Sequence, residues 1–170
     1  MEWFLTTARL GFRAWHTDDL PLAARLWGDE RFSTLLGGPF TAEQIRARLD
    51  CHIEMLASAK MQYWPMFLLD GGEFVGCAGL RPHDKGPRIF EIGYHLVPEF
   101  WGRGLATEAG RAVVEYGFAK LGAEALFAGH HPDNRDSARV LLKLGFEYAG
   151  HEVYPPTGWV EPTYWLRRRF

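Results

Sequence analysis

The residues best placed for chemistry lie in the segment Pro98-Glu99-Phe100-Trp101-Gly102-Arg103-Gly104-Leu105-Ala106-Thr107-Glu108-Ala109, between a predicted strand and a predicted helix. Its two glycines let the backbone approach a ligand closely. The first N–H groups of a helix have no partner inside it, and the helix dipole adds positive potential there. The segment therefore predicts an anion site suited to a phosphate or pyrophosphate, with a plain strand-to-helix turn as the structural alternative.

Two common nucleotide-binding motifs do not fit this segment. A P-loop requires a lysine in the pattern GxxxxGK[ST], and no lysine stands at that position. A dinucleotide fingerprint requires a third glycine, but Thr107 occupies that place. Glu124 follows about twenty residues on, yet it precedes the next strand instead of ending it, so it is wrongly placed for a ribose.

Hydrophobic periodicity and turn residues predict the elements that must position this segment. Strands are predicted over residues 8–14, 64–69, 73–80, 89–97, 125–129, 146–154 and 163–169. Helices are predicted over residues 17–27, 41–59, 105–121 and 134–144, with Thr17, Thr41 and Asn134 as caps. The order β-α-α-β-β-β-α-β-α-β-β indicates an α/β (α+β) class. It predicts a mixed central sheet, with 89–97 and 125–129 parallel and with helices on both faces.

Length and composition limit the class of protein. The chain has 170 residues, 47% of them hydrophobic, which suits a single domain (1–170) with a sizeable core. Its 19 Lys and Arg residues against 21 Asp and Glu residues leave too little positive charge for nucleic-acid binding. No stretch reaches 18 uncharged apolar residues, and the start lacks the pattern of a signal peptide. We therefore expect a cytoplasmic protein without membrane contact.

The cysteines and two adjacent histidines are interpreted without a metal or a disulfide. Cys51 and Cys77 fall in a predicted helix and a predicted strand, and both are expected to be core residues. His130 and His131 are neighbours, so on a strand their side chains point to opposite faces and make poor ligands for one ion. No metal site is expected.

Four segments together resemble the GCN5-related N-acetyltransferase (GNAT) superfamily. The resemblance is greatest to its branch of ribosomal-protein alanine N-acetyltransferases, the RimJ and RimL type. The segments are Glu91-Ile92-Gly93-Tyr94, 101–109, 134–139 and 142–146, and the order of elements also matches that fold. Two positions depart from the superfamily pattern. Trp101 stands where the superfamily usually has Gln or Arg, but the RimJ and RimL branch also accepts Trp there. Leu141 stands where many relatives have a tyrosine that acts as general acid, so the resemblance assigns no tyrosine that role.

The resemblance implies an enzyme with acetyl-CoA as co-substrate, which acetylates a primary amine through a ternary complex. It implies a coenzyme site made of His95, Leu96, Val97, Gly102, Arg103, Gly104, Leu105, Ala106, Thr107, Asn134 and Ser137. In that site the strand end binds the pantetheine arm and the N–H groups of 103–107 hold the pyrophosphate. Asn134 also bonds pantetheine, and Ser137 lies near the sulfur. A helix cap at Asn134 and a first-turn residue at Ser137 are the structural alternatives.

Acetylation of an amine also requires proton transfers. At pH 7 about 0.04% of lysine side chains but about 10% of α-amines are neutral, so an α-amine needs less help from a base. Glu91, on the strand beside the coenzyme, is the expected catalytic base, directly or through water. An ion pair with Arg88 or Arg111 is its structural alternative. Ser137 is the second expected catalytic residue, because its hydroxyl can hydrogen-bond the leaving thiolate.

The acceptor side of the site is less determined. An N–H of Leu96 or Val97 is expected to stabilise the tetrahedral oxyanion. Apolar and aromatic residues are expected to flank the acceptor, with core packing as an equal alternative: Phe32, Leu35, Leu36, Tyr154, Trp159 and Tyr164. The acceptor itself, a protein N-terminus or a small molecule, stays open, and so does the assembly state, with a homodimer as one option. The alternative function is a CoA-binding regulatory module without turnover.

Overall fold

The structure, a computed structural model, describes residues 2–168. Its strands are β1 Leu5–Thr6, β2 Leu10–Phe12, β3 Tyr63–Leu68, β4 Phe74–Pro82, β5 Ile89–Leu96, β6 Ala125–Gly129, β7 Glu147–Tyr154 and β8 Trp159–Arg167. Its helices are α1 Leu20–Trp27, α2 Glu30–Ser33, α3 Ala42–Ala59, α4 Leu105–Ala119 and α5 Arg135–Lys143. None of the helices within the described range is long and apolar enough to cross a membrane.

The strands form one mixed sheet in the order β1-β2-β3-β4-β5-β6-β8-β7. Only β5 and β6 pair in parallel; the other neighbours in the described sheet are antiparallel. The parallel pair arises because α4 carries the chain back to the starting edge, as a strand–helix–strand crossover requires. The predicted fold class and the predicted parallel pair are confirmed.

The β5–β6 pair is incomplete. Its register runs from Ile89 opposite Ala125 to Glu91 opposite Phe127 and then stops. Strand β5 nevertheless continues to Leu96, and its residues 90–96 all pair with β4 on its other side. An opening therefore lies between β5 and β6 from Ile92 onward, and the site is built around it.

Different helices cover the two faces of the sheet. On one face, α4 packs so closely that a Cβ on Gly117 would lie 2.9 Å from Cδ1 of Leu80 in β4. On the other face, Nε1 of Trp27 in α1 donates to Nδ1 of His95 in β5 at 3.2 Å. Leu80 is paired with Ile92, which is three residues from His95 along β5, so the two contacts lie on opposite faces. Helices on both faces are confirmed.

The N-terminal region differs most from the predicted elements. Of the predicted strand over 8–14 only β2, Leu10–Phe12, forms, and a strand that was not predicted, β1, precedes it. Helix α1 begins at Leu20 after a 3₁₀ turn over Thr17–Asp19. The reason is Asp19, whose carboxylate accepts from the N–H of His16 at 2.8 Å and from the Arg13 guanidinium at 2.6 Å. Asp19 therefore satisfies the N–H of His16 at the start of the 3₁₀ turn, and the predicted Thr17 cap is wrong, because Asp19 stands at the N-cap of α1 without a side-chain capping bond.

Other local predictions have mixed outcomes. The capping box at Thr41 and Gln44 is confirmed, because each side chain bonds the other's backbone N–H. Cys77 is buried as expected, but the expectation for Cys51 is wrong, since it is exposed on α3. Strand β8 begins at Trp159, four residues before the predicted strand over 163–169, and ends at Arg167; Arg169 lies outside the described residues.

Candidate active site

Two clefts meet at the opening between β5 and β6. The first, here called the α4 cleft, follows the start of α4 and one side of α5. The second, here called the charged cavity, lies between β5, β6, β8 and the α2–α3 region. Tyr94, Asn134 and Ser137 line both, so a molecule in one cleft can touch a molecule in the other at these side chains.

The α4 cleft contains the glycine segment singled out by the sequence. Gly102 and Gly104 have φ angles of +73° and +75°, a left-handed conformation that glycine adopts without strain. The first bond inside α4 runs from the Glu108 N–H to the Gly104 carbonyl at 3.1 Å. The N–H groups of 105–107 therefore point out of the helix start without a partner among residues 2–168, as an anion site requires.

Basic side chains surround this helix start. Arg139 and Lys143 line the α4 cleft from α5, four residues apart on one face of that helix. Arg9 donates from Nη1 to the Arg103 carbonyl at 3.0 Å and from Nε to Glu108 at 2.7 Å, which ties the β1–β2 turn to the glycine segment. The Arg103 guanidinium lies 5.0 Å from the ring centroid of Phe100. Free N–H groups, a positive helix end and these cations fit a diphosphate.

The resemblance assigned Arg103 to this cleft, but Arg103 is not one of its lining residues; the sequence did not identify Arg139 and Lys143, which do line it, or Arg9 beside it. The spacing of Arg139 and Lys143 on one helix face was an available signal. Arg9 gave none, because its contacts join residues 94 and 99 positions apart in the chain.

The edge of β5 that faces the opening corrects two predicted coenzyme contacts. The Val97 N–H donates to the Val75 carbonyl at 3.0 Å, and the Val97 carbonyl accepts from the Phe100 N–H at 3.0 Å. Val97 therefore has no backbone group free, and its predicted role as an oxyanion donor is wrong. His95 is two residues away, so its backbone also faces β4, opposite Cys77. The expectation that the His95 backbone faces the opening is wrong for the same reason.

Leu96 is the residue of that trio with a backbone N–H toward the opening. Neighbouring residues on a strand direct their N–H groups to opposite edges, so Leu96 faces away from β4 where Val97 faces toward it. The Leu96 carbonyl accepts from Nε1 of Trp101 at 2.9 Å. The unusual tryptophan thus has a local role: it satisfies a carbonyl at the edge of the opening and leaves the adjacent N–H free.

A tyrosine that the sequence did not assign stands at the junction of the two clefts. The Tyr94 hydroxyl lies 3.0 Å from the Ser137 carbonyl and 3.1 Å from Ser137 Oγ. Burial raises the pKa of this phenol, so it is a proton donor at neutral pH. Asn134 accepts the Ser137 N–H at 3.1 Å through its side-chain oxygen, which makes it the cap of α5 and leaves its NH₂ group to donate elsewhere.

In the charged cavity, Glu91 has a partner that the sequence did not identify. Its two carboxylate oxygens accept from Nε and Nη2 of Arg81, at 2.9 and 2.8 Å. The two residues are direct partners across β4 and β5. Arg88 instead pairs with Glu124. The structural alternative for Glu91, an ion pair with Arg88 or Arg111, is therefore right about the ion pair and wrong about its partner, which is Arg81.

The apolar walls of the charged cavity follow the expectation in part. Phe32, Leu35, Leu36 and Tyr154 line it, whereas Trp159 and Tyr164 do not. Tyr164 instead lies beside His130, with ring centroids 5.5 Å apart.

Comparisons with known proteins agree with this geometry. A family model described as an acetyltransferase (GNAT) domain matches residues 9–147. The uncharacterized N-acetyltransferase YoaA of Bacillus subtilis (strain 168) is 39% identical over 87 residues, or 51% of this chain and 49% of YoaA. The uncharacterized N-acetyltransferase p20 of Bacillus licheniformis is 27% identical over 148 residues, or 86% of this chain and 83% of p20.

Among solved structures, the fold is similar to that of RimL, described as a ribosomal L7/L12 alpha-N-protein acetyltransferase in complex with coenzyme A. The TM-score is 0.81 at 18% sequence identity, with 98% of each chain covered. The chain belongs to the GNAT acetyltransferase family, a class of enzymes that use acetyl-CoA as co-substrate. The resemblance read from the four sequence segments is confirmed at the level of this family.

Proposed function

We propose that this protein transfers the acetyl group of acetyl-CoA directly to a primary amine. The observation that carries the proposal is the junction of the two clefts at Tyr94, Asn134 and Ser137. A coenzyme in the α4 cleft and an amine in the charged cavity would meet there without passing through a covalent enzyme intermediate. Holding the two reactants together in this way supplies most of the acceleration in such a reaction.

The α4 cleft supplies the coenzyme contacts in this proposal. The free N–H groups of 105–107 hold the diphosphate, with Arg139 and Lys143 adding positive charge. The pantetheine arm lies along the open edge of β5, where it accepts from the Asn134 amide and leaves the Leu96 N–H to the thioester carbonyl. Acetyl-CoA supplies the thioester, the activated form of the acetyl group. Because acetyl-CoA has to be available where the protein works, we propose that the protein is cytoplasmic.

The charged cavity and the junction supply the proton transfers. Glu91 takes a proton from the acceptor's ammonium, directly or through a water molecule, and leaves the nitrogen a free lone pair. As the C–N bond forms and the C–S bond breaks, the Leu96 N–H donates to the carbonyl oxygen. Tyr94 and Ser137 together deliver a proton to the departing sulfur. The ammonium loses two protons in all, of which one balances the proton on sulfur and one goes to solvent.

The acceptors named for relatives do not decide the acceptor here. RimL is described as acting on a protein α-amine. From this relative we infer only that the acceptor is a primary amine. The kind of primary amine is inferred from the cavity of this protein.

The proposal is tested by thiol release from acetyl-CoA in the presence of a panel of primary amines, with titration calorimetry of CoA alongside. We expect saturable CoA binding and amine-dependent thiol release. Stabilisation by about 2.7 kcal/mol at 100 times the Kd, without thiol release for any amine, would instead support a regulatory CoA-binding module. An absence of heat with CoA would contradict both functions.

A further inference from the structure

The charged cavity has four arginine and glutamate side chains whose charges do not all cancel in pairs. They are Arg48, Arg81, Glu91 and Glu161. Arg81 and Glu91 form the two-point ion pair described above. One guanidinium and one carboxylate remain, and these two do not pair with each other.

Arg48 is the cation that remains. It projects from α3, half-buried, with its guanidinium 4.5 Å from the ring centroid of Phe40 and 5.6 Å from that of Trp27. It makes no hydrogen bond and no ion pair with any of residues 2–168. Burial lowers the pKa of this guanidinium and nearby Arg81 adds like charge, yet arginine stays charged at any physiological pH. A partly buried cation of this kind is costly unless an anion joins it.

Glu161 is the anion that remains. It lies on β8 with Oε2 over β6, 3.1 Å from the position that a Cβ on Gly129 would take. Its carboxylate also has no hydrogen-bond partner among the described residues. Burial and the charge of Glu91 raise its pKa, so the cavity disfavours its ionised form until a cation arrives. Because Gly129 ends β6 beside the opening, a cation held here lies on the side where acetyl transfer takes place.

We infer that the acceptor is a free α-amino acid with an apolar side chain, whose carboxylate is bound by Arg48 and whose ammonium is bound by Glu161. A ligand with both charges satisfies both unpaired groups at once. The cavity volume of about 120 Å³ is below the roughly 300–1,000 Å³ typical of pockets for drug-sized ligands, which favours a small molecule. Phe32, Leu35 and Leu36 supply an apolar wall for the side chain. This inference rests on the proposed function and names its acceptor.

Other amine classes fit these charges less well. A polyamine brings several cations and no anion, so it would leave Arg48 unpaired and repelled. A peptide N-terminus brings an amine next to an amide, which has no charge to offer the guanidinium. A polyamine and a peptide are therefore included among the acceptors in the test.

The test compares acceptors that share a side chain and differ in the carboxylate, with kcat/KM for each referred to the fraction of neutral amine at the assay pH. L-leucine, L-leucinamide and 3-methylbutylamine share the amine and the side chain, and kcat/KM for each is measured by thiol release. The same set is run on Arg48→Gln and on Arg46→Gln, an exposed arginine on the same helix that serves as the matched control. We expect Arg48→Gln to lower kcat/KM for L-leucine at least tenfold, mainly through KM. It should change kcat/KM for L-leucinamide less than threefold, and Arg46→Gln should match the wild type.

A binding measurement separates this inference from the proposed function. L-leucine, L-methionine and L-phenylalanine are each titrated calorimetrically into the protein in the presence of saturating CoA. Binding that is weakened at least tenfold in both Arg48→Gln and Glu161→Gln supports the inference even if no thiol is released, in which case only the proposed function fails.

Three results would overturn the inference while leaving acetyl transfer intact. One is turnover of L-leucinamide, of 3-methylbutylamine, of spermidine or of the peptide Ala-Leu-Leu-amide that equals or exceeds turnover of L-leucine, L-methionine and L-phenylalanine. The second is a loss of the same size for L-leucine and L-leucinamide in Arg48→Gln. The third is no detectable binding of any of the three amino acids.

Discussion

The Tyr94 hydroxyl lies 3.1 Å from Ser137 Oγ and so joins β5 to α5 across the junction of the two clefts. The same hydroxyl is within 3.0 Å of the Ser137 carbonyl. The serine that the sequence placed near the coenzyme sulfur is therefore one half of a hydroxyl pair. Because groups that act as a unit lose their function together, the pair makes a specific prediction about combined substitutions.

Removing either hydroxyl of this pair should slow turnover. We expect Tyr94→Phe and Ser137→Ala each to lower kcat about tenfold to hundredfold, at the low end of the usual contribution from a general acid, because a thiolate is a good leaving group. The double variant should be little slower than the worse single one. Thiol release at saturating acetyl-CoA measures this, and Tyr148→Phe, at an exposed position on β7, is the control. Multiplied losses in the double variant would show that the two hydroxyls act separately.

The left-handed glycine before α4 should be needed for CoA binding beyond its effect on folding. Gly104→Ala and Gly122→Ala both place a Cβ at a positive φ, of +75° and +67°, so each should lower the free energy of unfolding by about 1–2 kcal/mol. Only Gly104 adjoins the free N–H groups of α4, so only Gly104→Ala should weaken CoA binding, by about tenfold. Urea denaturation and calorimetry measure the two effects. Equal CoA affinities in both variants would place the diphosphate elsewhere.

Glu108 should stabilise the fold in a pH-dependent way. Burial acts to raise its pKa, but hydrogen bonds from Thr7 and Arg9 outweigh it and hold the pKa below its usual value. An acid of this kind stabilises the folded state above its unfolded pKa and loses that contribution as the pH falls through the folded pKa. We expect Glu108→Gln to cost about 1–3 kcal/mol at pH 7 and less below pH 4. Urea unfolding measures this, with Glu115→Gln, exposed on the same helix, as control.

A buried histidine should make the protein less stable in mild acid. His52 stacks on Trp27, and burial, together with the charges of Arg48 and Arg81, lowers its pKa to about 3. In the unfolded chain His52 binds a proton near pH 6.5, whereas in the folded chain it stays neutral down to about pH 3. The contribution of His52 to the free energy of unfolding is therefore fully present above pH 6.5 and falls as the pH drops toward 3. This one group should cost about 2 kcal/mol between pH 7.5 and pH 5.

The His52 prediction is checked by urea unfolding at several pH values. His52→Asn keeps an acceptor for the Tyr63 N–H but cannot titrate, so its stability should fall less between pH 7.5 and pH 5 than that of the wild type. His151→Asn, at an exposed position, should follow the wild type. Parallel curves for the wild type and His52→Asn would contradict the assignment.

The proposed base gives a kinetic prediction. Glu91→Gln should lower kcat about hundredfold and change the shape of its pH dependence, because the group that accepts the ammonium proton is gone. Glu124→Gln, which breaks an exposed ion pair with Arg88, should leave both unchanged. If the pH–rate profile of Glu91→Gln matches that of the wild type, Glu91 holds Arg81 in place and does not act as the base.

Local chemistry made part of this site predictable from the sequence. The glycines before α4 and the cap at Asn134 depend on residues within a few positions of each other, so their patterns are visible in the chain. The hairpin of β3 and β4 and the crossover through α4 follow from the same kind of local signal. These features predicted the fold class, which the structure confirms, and the proposed anion site.

Contacts between distant segments were not predictable in this way. The register between β4 and β5 decides which backbone groups face the opening. A register shift of one residue would turn the Val97 N–H toward the opening in place of the Leu96 N–H. The pairing of Tyr94 with Ser137 joins residues 43 positions apart, for which periodicity carries no signal. Arg48 looked like any polar residue on a helix, because nothing in the chain shows that α3 turns it toward β5.

Since only three described residue pairs join β5 to β6, the sheet consists of two halves with a short connection between them, here called the hinge. Glu91 belongs to one half and Glu161 to the other, so any substitution that spreads or narrows the hinge changes the span between these carboxylates without altering either. Substitutions where the two halves are held together can therefore change the acceptor specificity of the protein, although the substituted residues do not contact the acceptor.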